Sequence, residues 1–159
     1  MARVFYVTIE GSKQGKFKGE SALANAKGKL EGLTFSSEVT SPRDVATGQA
    51  TGKRSHSPIT FTKQWGAASP QLYQAAVTNE ILKSVLFEFV GVDKSGKEVI
   101  FETIKLTNAT VADLKRTVDE HTPEGARGID QVALVFQKIE ITETGSKTTA
   151  SDDWQLSRG

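Results

Sequence analysis

Gly48-Gln-Ala-Thr-Gly-Lys-Arg-Ser-His-Ser-Pro-Ile-Thr-Phe-Thr-Lys-Gln-Trp-Gly-Ala-Ala-Ser-Pro-Gln-Leu72 holds three local signals in a row. Gly48 to Ser57 is polar, with glycines at 48 and 52, and reads as a loop. Pro58 to Lys63 alternates, Ile59 and Phe61 against Thr60 and Thr62, which is the pattern of a half-buried strand. Ser69-Pro70 then opens a helix over about 70–79. Ser69 is placed to accept a bond from a first-turn amide, and Pro70 gives up an amide that has no partner there. Leu72, Ala75, Ala76 and Asn79 share one face, so the helix is short and lies on a sheet.

Outward from this stretch the chain is nearly all strand. Alternation marks Val4–Glu10, Leu30–Val39, Leu82–Val92, Glu98–Asn108, Ala109–Val118 and Asp130–Glu143. Asp93-Lys94-Ser95-Gly96 is a hairpin turn between two of them. Phe5, Phe35, Phe61, Phe87, Phe101 and Phe136 fall at strand positions and read as core. Gly11 to Lys29 and Thr142 to Gly159 read as polar surface segments, and Trp65 as a seal on the barrel. Apolar residues on both faces of many strands exceed what a sheet with one wet face needs. The expected fold is therefore mainly β: a small antiparallel β-barrel of two packed sheets, one helix, and a long extended loop over about 40–57. A loop of that length without its own structure is uncommon in a compact domain unless it has a function.

The chain of 159 residues suits one domain with a sizeable core, here expected over 1–159. Lysine plus arginine number 20 against 19 acidic residues, which argues against a general nucleic-acid binder. No cysteine is present, so neither disulfides nor thiolate chemistry arise. The longest apolar runs are far short of a membrane span. The first residues alternate instead of forming the apolar core of a leader, so any export is expected without a cleaved signal peptide.

Chemistry-bearing patterns are sparse. Gly48-Gln-Ala-Thr-Gly-Lys53 departs from a phosphate-binding loop in its glycine spacing, in Arg54 where a hydroxyl is needed, and in leading to a strand. His56 and His121 lie in predicted loops without the ligand spacing of a metal site and read as surface histidines. Ser55 and Ser57 flank His56 without triad geometry. Asp152-Asp153 reads as part of a solvated tail. No catalytic, cofactor or metal site is expected, and the chain is not expected to be an enzyme.

Ala50-Thr-Gly-Lys53, Phe61-Thr-Lys63 and Ala68-Ser-Pro-Gln-Leu72 together resemble the Hcp (haemolysin-coregulated protein) family, the tube proteins of type VI secretion systems. Gly19-Glu-Ser21, Val85-Leu-Phe87, Ile104–Ala109, Val135–Glu140 and Ala150–Trp154 follow in the family's order, so the resemblance spans nearly the whole chain. It implies hexameric rings that stack into the inner tube of a contractile machine. The implied partners are further copies of the chain, the contractile sheath, a VgrG-type spike and small effectors in the lumen. The implied location is the bacterial cytoplasm, then the exterior after firing. The 40–57 loop would reach the next ring, with Arg43, Asp44, Lys53, Arg54 and His56 as stacking candidates. A fused toxin domain is not expected after Trp154. Ser21-Ala-Leu-Ala-Asn-Ala26 departs from the family pattern. The alternatives are a monomeric barrel for a small ligand, a tail-tube protein of a related machine, or a hydrolase assembled from distant residues.

Overall fold

The computed structural model describes residues 5–19, 28–120, 122 and 127–153; Ser21–Ala26, His121 and Trp154 lie outside them. Period-two alternation produces strands nearly everywhere it occurs. In chain order these are β1 (Phe5–Gly11), β2 (Gly15–Lys16), β3 (Leu30–Gly32), β4 (Thr34–Ser36), β5 (Val39–Thr40), β6 (Ser55–His56) and β7 (Ile59–Gln64). Helix α1 (Ser69–Thr78) follows, then β8 (Leu82–Val92), β9 (Glu98–Thr117), β10 (Ile129–Glu143) and β11 (Thr148–Asp153). Nine strands form one antiparallel sheet: seven along the path β2-β1-β8-β9-β10-β7-β4, with β3 on β1 and β11 on β10, while β5 and β6 are a separate pair.

Residues 30–36 reach from one side of the sheet to the other. Their first half pairs with β1, Tyr6 opposite Glu31. Their second half pairs with β7, Phe35 opposite Phe61, and the Leu33 amide donates to Thr62 across the break at 2.8 Å. The expected single strand over 30–39 is therefore interrupted, because it changes partners midway. At the crossing, a Cβ on Gly32 would lie 1.9 Å from the Phe5 ring, so only glycine fits.

The enclosed core is aromatic. Phe5 meets Phe35, Phe61, Phe87 and Phe89 at centroid distances of 5.9, 6.5, 6.0 and 5.3 Å. Most of these rings meet edge-on or tilted, the arrangement the ring quadrupole favours. Phe101 does not join them; it is 48% exposed. Phe17, in a segment read as surface loop, is buried.

The expected boundary at Asn108/Ala109 is not a strand end. β9 runs through it for 20 residues, with Asn108 at φ 51 and its amide donating to Gln137 at 2.9 Å. Segment 142–159 is not wholly a polar tail either, since β11 pairs along β10 from Glu143–Thr148 to Lys138–Asp153. The hairpin at Asp93 forms as expected. Its carboxylate accepts from the Ser95 amide and hydroxyl and the Lys97 amide, and Gly96 takes φ 84.

α1 buries Leu72 and Ala75, as its spacing predicts, but Asn79 is a left-handed C-cap and not a face residue. Pro70 lies in the first turn as expected, whereas Ser69 is not the cap: Ala68 holds that position and no side chain caps it. The Ser69 hydroxyl is drawn away, accepting from the Gly66 amide at 3.0 Å and donating to Asp130 at 2.6 Å. Asp130 is buried among cations. Lys63 Nζ lies 3.5 Å from it and Arg116 Nε 2.9 Å. The Arg116 guanidinium sits 4.4 Å over Trp65, and Trp65 packs so closely on Gly128 that a Cβ there would fall 2.5 Å from the indole. Trp65 thus seals this corner.

Glu80 performs a similar task after the helix. Buried, it accepts from the amides of Lys13 and Gln14 at 2.8 Å each and from the Gln14 side chain at 3.0 Å. Burial works to raise its pKa, but the amide bonds outweigh burial and the net shift is downward. Glu80→Gln is expected to lower stability by about 1–3 kcal/mol, because one amide then faces a donor. Urea unfolding midpoints measure it; an unchanged midpoint would remove Glu80 from this role.

Candidate functional site

The expected long loop over 40–57 has a backbone of its own. It is a two-stranded ribbon: Val39 and Thr40 of β5 pair with His56 and Ser55 of β6, and Arg43 bridges Ala50. The Thr51 amide donates to Pro42, and the Asp44 amide to Gln49. At the tip the Asp44 carboxylate accepts from the Ala46 and Thr47 amides at 2.7 and 3.1 Å. An aspartate that bonds the backbone two and three residues on makes the tight turn this ribbon needs. Asp44 therefore builds the tip, and Val45 stands wholly exposed on it.

The other candidates divide into two groups. Arg43 and Lys53 are exposed on the ribbon. Arg54 and His56 are turned toward the sheet. The Arg54 guanidinium grips both carboxylate oxygens of Asp152 through Nε and Nη2. His56 Nε2 lies 2.7 Å from Asp152 Oδ2, and its ring meets Phe136 edge-on at 5.3 Å. The His56 side chain is only 12% exposed, so it is not a surface histidine. The guanidinium holds the Asp152 carboxyl down at about 2, with the His56 contact acting in the same direction. Asp152, read from sequence as solvated, is thus the latch that fixes the ribbon to β11. A bidentate charged pair fixes direction as well as proximity.

Beside the latch lies an open cleft of about 230 Å³, with Val39, Ile59, Phe136, Ile139 and Ile141 in its wall. A ligand-binding barrel would hold its cavity inside the sheet; there the phenylalanine rings fill the space. Among the described residues no cluster of three or more His, Asp or Glu side chains could hold a metal, and no helix is long and apolar enough to cross a membrane.

A nine-stranded antiparallel sheet, one helix on it, and a latched ribbon can be set against known proteins. The profile of the family described as "Type VI secretion system effector, Hcp" matches residues 6–142. This chain belongs to the Hcp family. The "Major exported protein" of Pseudomonas aeruginosa is 30% identical, covering 98% of this chain and 97% of that protein. A solved mutant of Hcp1 from the Escherichia coli EAEC 042 pathovar superposes with a TM-score of 0.85 at 29% identity, over 96% of this chain and 99% of that one. The secreted protein Hcp3 of P. aeruginosa gives 0.80 at 25% identity, over 96% and 99%. Two of the stretches that carry the Hcp resemblance, Ala50–Lys53 and Ala150–Asp153, flank the latch: one ends beside Arg54 and the other contains Asp152.

Proposed function

We propose that this chain is the tube protein of a type VI secretion system. Copies close head-to-tail into hexameric rings, and the ribbon of one ring meets the next. A contact that closes gives a ring, and a second contact that does not close gives a tube. The tube is propelled by a contractile sheath, tipped by a VgrG-type spike, and carries small effectors. The protein acts as a structural carrier. It is made in the cytoplasm and exported to the exterior.

The observation that carries the reading is the ribbon itself, an arm with paired strands, a rigid tip and a fixed base in a member of the Hcp family. A surface loop with no partner would not need that order. Arg43 and Lys53 are the contact cations, because Arg54 and His56 are committed to Asp152.

The test is Arg43→Glu with Lys53→Glu. Exposed pairs are worth ~0–1 kcal/mol each, but a sixfold ring repeats every one. Stacking is expected to weaken by about an order of magnitude or more, read as tube length and number in electron micrographs, while the ring mass by light scattering is unchanged. Tubes of normal length from the double variant would remove the ribbon's cations from stacking.

A further inference from the structure

The open cleft at the base of the ribbon takes its walls from two parts of the chain. Val39 and His56 belong to the ribbon strands, whereas Phe136, Ile139 and Ile141 of β10 and Ala150 of β11 belong to the sheet. Val39 is 57% and Ile141 37% exposed, so apolar surface stands open on both sides of the gap. The volume is about 230 Å³. A dry cavity of ~150 Å³ with such walls takes benzene. In proportion, this cleft takes a ring with a short chain, ~9 non-hydrogen atoms. Its polar lining includes Ser37, Ser57 and Ser151 and the carboxylates of Glu38 and Asp152. Arg54 and His56 already hold Asp152. Glu38 is exposed and accepts from the Ser57 hydroxyl at 3.0 Å, and among the described residues no cation pairs with it. The cleft is thus an apolar hollow with one uncompensated negative charge at its rim.

We propose that this cleft binds a small protonated amine with an aromatic or branched aliphatic body, and that the bound molecule fastens the ribbon to the sheet. Ligand sites are mostly apolar, with a few polar groups that fix the ligand's orientation. Here the valine, isoleucine and phenylalanine walls select the body, and the rim selects the head. Glu38 attracts an ammonium and repels a carboxylate. A neutral hydroxyl bonds the serines but gains nothing from that charge. The site lies outside the aromatic core, so it needs no cavity within the sheet. The molecule touches Val39 on the ribbon and Ile139 and Ile141 on the sheet, so it binds only while the two lie together. A ligand that binds one form alone favours that form by the factor 1 + [L]/Kd. It therefore acts beside the Asp152 latch on the same ribbon base. Binding is independent of the tube reading; only its consequence for stacking rests on that reading.

The probe is 2-phenylethylamine, which has the size the cleft takes; 2-phenylethanol and phenylacetate keep the ring and change the head. Calorimetric titration of the unaltered protein is expected to show the amine binding about tenfold more tightly than the alcohol, and phenylacetate not binding. Glu38→Gln is expected to erase that preference and leave the alcohol's affinity unchanged; the residue is exposed, so the fold persists. Ala150→Phe, opposite Ile141, sets a ring in the cleft and is expected to abolish binding of both. Hydrogen exchange over residues 39–57, read by mass spectrometry, is expected to slow about tenfold when the amine is at ten times its Kd. Equal affinity for amine and alcohol, or a preference that survives Glu38→Gln, overturns the inference. So does binding that leaves ribbon exchange unchanged. Light scattering on the same samples keeps the two readings apart. A one-chain protein that binds the amine supports the inference while removing the ring, and a ring that ignores the amine does the reverse.

Discussion

Asp130→Ala is expected to lower the unfolding free energy by about 3–5 kcal/mol, the range for removing one partner of a buried ion pair. The carboxylate has no exposed surface, and neither does Lys63 beyond 1% of its side chain. Removing Asp130 takes the counter-charge from 3.5 Å beside a lysine that cannot reach water. It also strips the Ser69 hydroxyl of its 2.6 Å acceptor and frees Arg116 from 2.9 Å. Lys63 keeps the Gln64 carbonyl at 2.6 Å, a polar contact without neutralising charge. Denaturant titration measures the loss. Lys63→Met in the same chain is expected to restore part of it, since an apolar side chain of similar length needs no counter-ion. A single variant as stable as the parent would show that this cluster does not hold the helix corner.

Asp152→Asn is expected to free the ribbon while leaving the barrel folded. Asparagine keeps the shape but loses the charge that Arg54 grips with two nitrogens and His56 with a third. Lys53 and Arg54 are themselves tryptic sites, so cleavage after them reads ribbon opening directly. Cleavage is expected to be about tenfold faster in the variant, with the global melting transition little changed. Tubes should become rare, because a mobile arm must be ordered at each contact. The pH dependence has a definite sign. The folded Asp152 carboxyl titrates at about 2, below the roughly 3.9 of an unfolded aspartate. Its stabilisation is therefore complete above about pH 4 and is lost as pH falls through about 2. Ribbon cleavage by an acid-active protease should rise across that window in the parent and stay flat in the variant. Equal cleavage of both proteins at neutral pH would rule out the latch.

The two clusters show where reading the chain by itself reaches its limit. Periodicity belongs to near neighbours, so Ile59-Thr-Phe-Thr-Lys63 announces β7, and Asp93-Lys-Ser-Gly96 announces its hairpin from side chains a few positions apart. The helix is legible from Pro70 and the Leu72–Ala75 spacing for the same reason. Composition removes the cysteine chemistries, and the ordered short stretches reach the Hcp family. Ser69 shows the limit: its local pattern promises a cap, but a carboxylate 61 positions away takes the hydroxyl. Phe101 alternates as a core residue would and still stays outside, because alternation marks a face and not which face is covered. Asp152 is 98 residues from Arg54, and no local signal connects them. β11 becomes a strand only because the edge of β10 beyond β7 is open to pair with it.

By itself the sequence determined that the chain is mainly β with one helix, where most strands and turns lie, and to which family it belongs. These follow from interactions between residues close along the chain and from the order of its motifs. Only the tertiary structure decided that residues 30–36 pair with β1 in one half and β7 in the other, that Lys63 and Asp130 neutralise each other in the core, and that Asp152 turns a polar loop into a latched arm. Each of these depends on which distant segments the folded backbone brings within a few ångströms, and charge pairs and hydrogen bonds act only at that range.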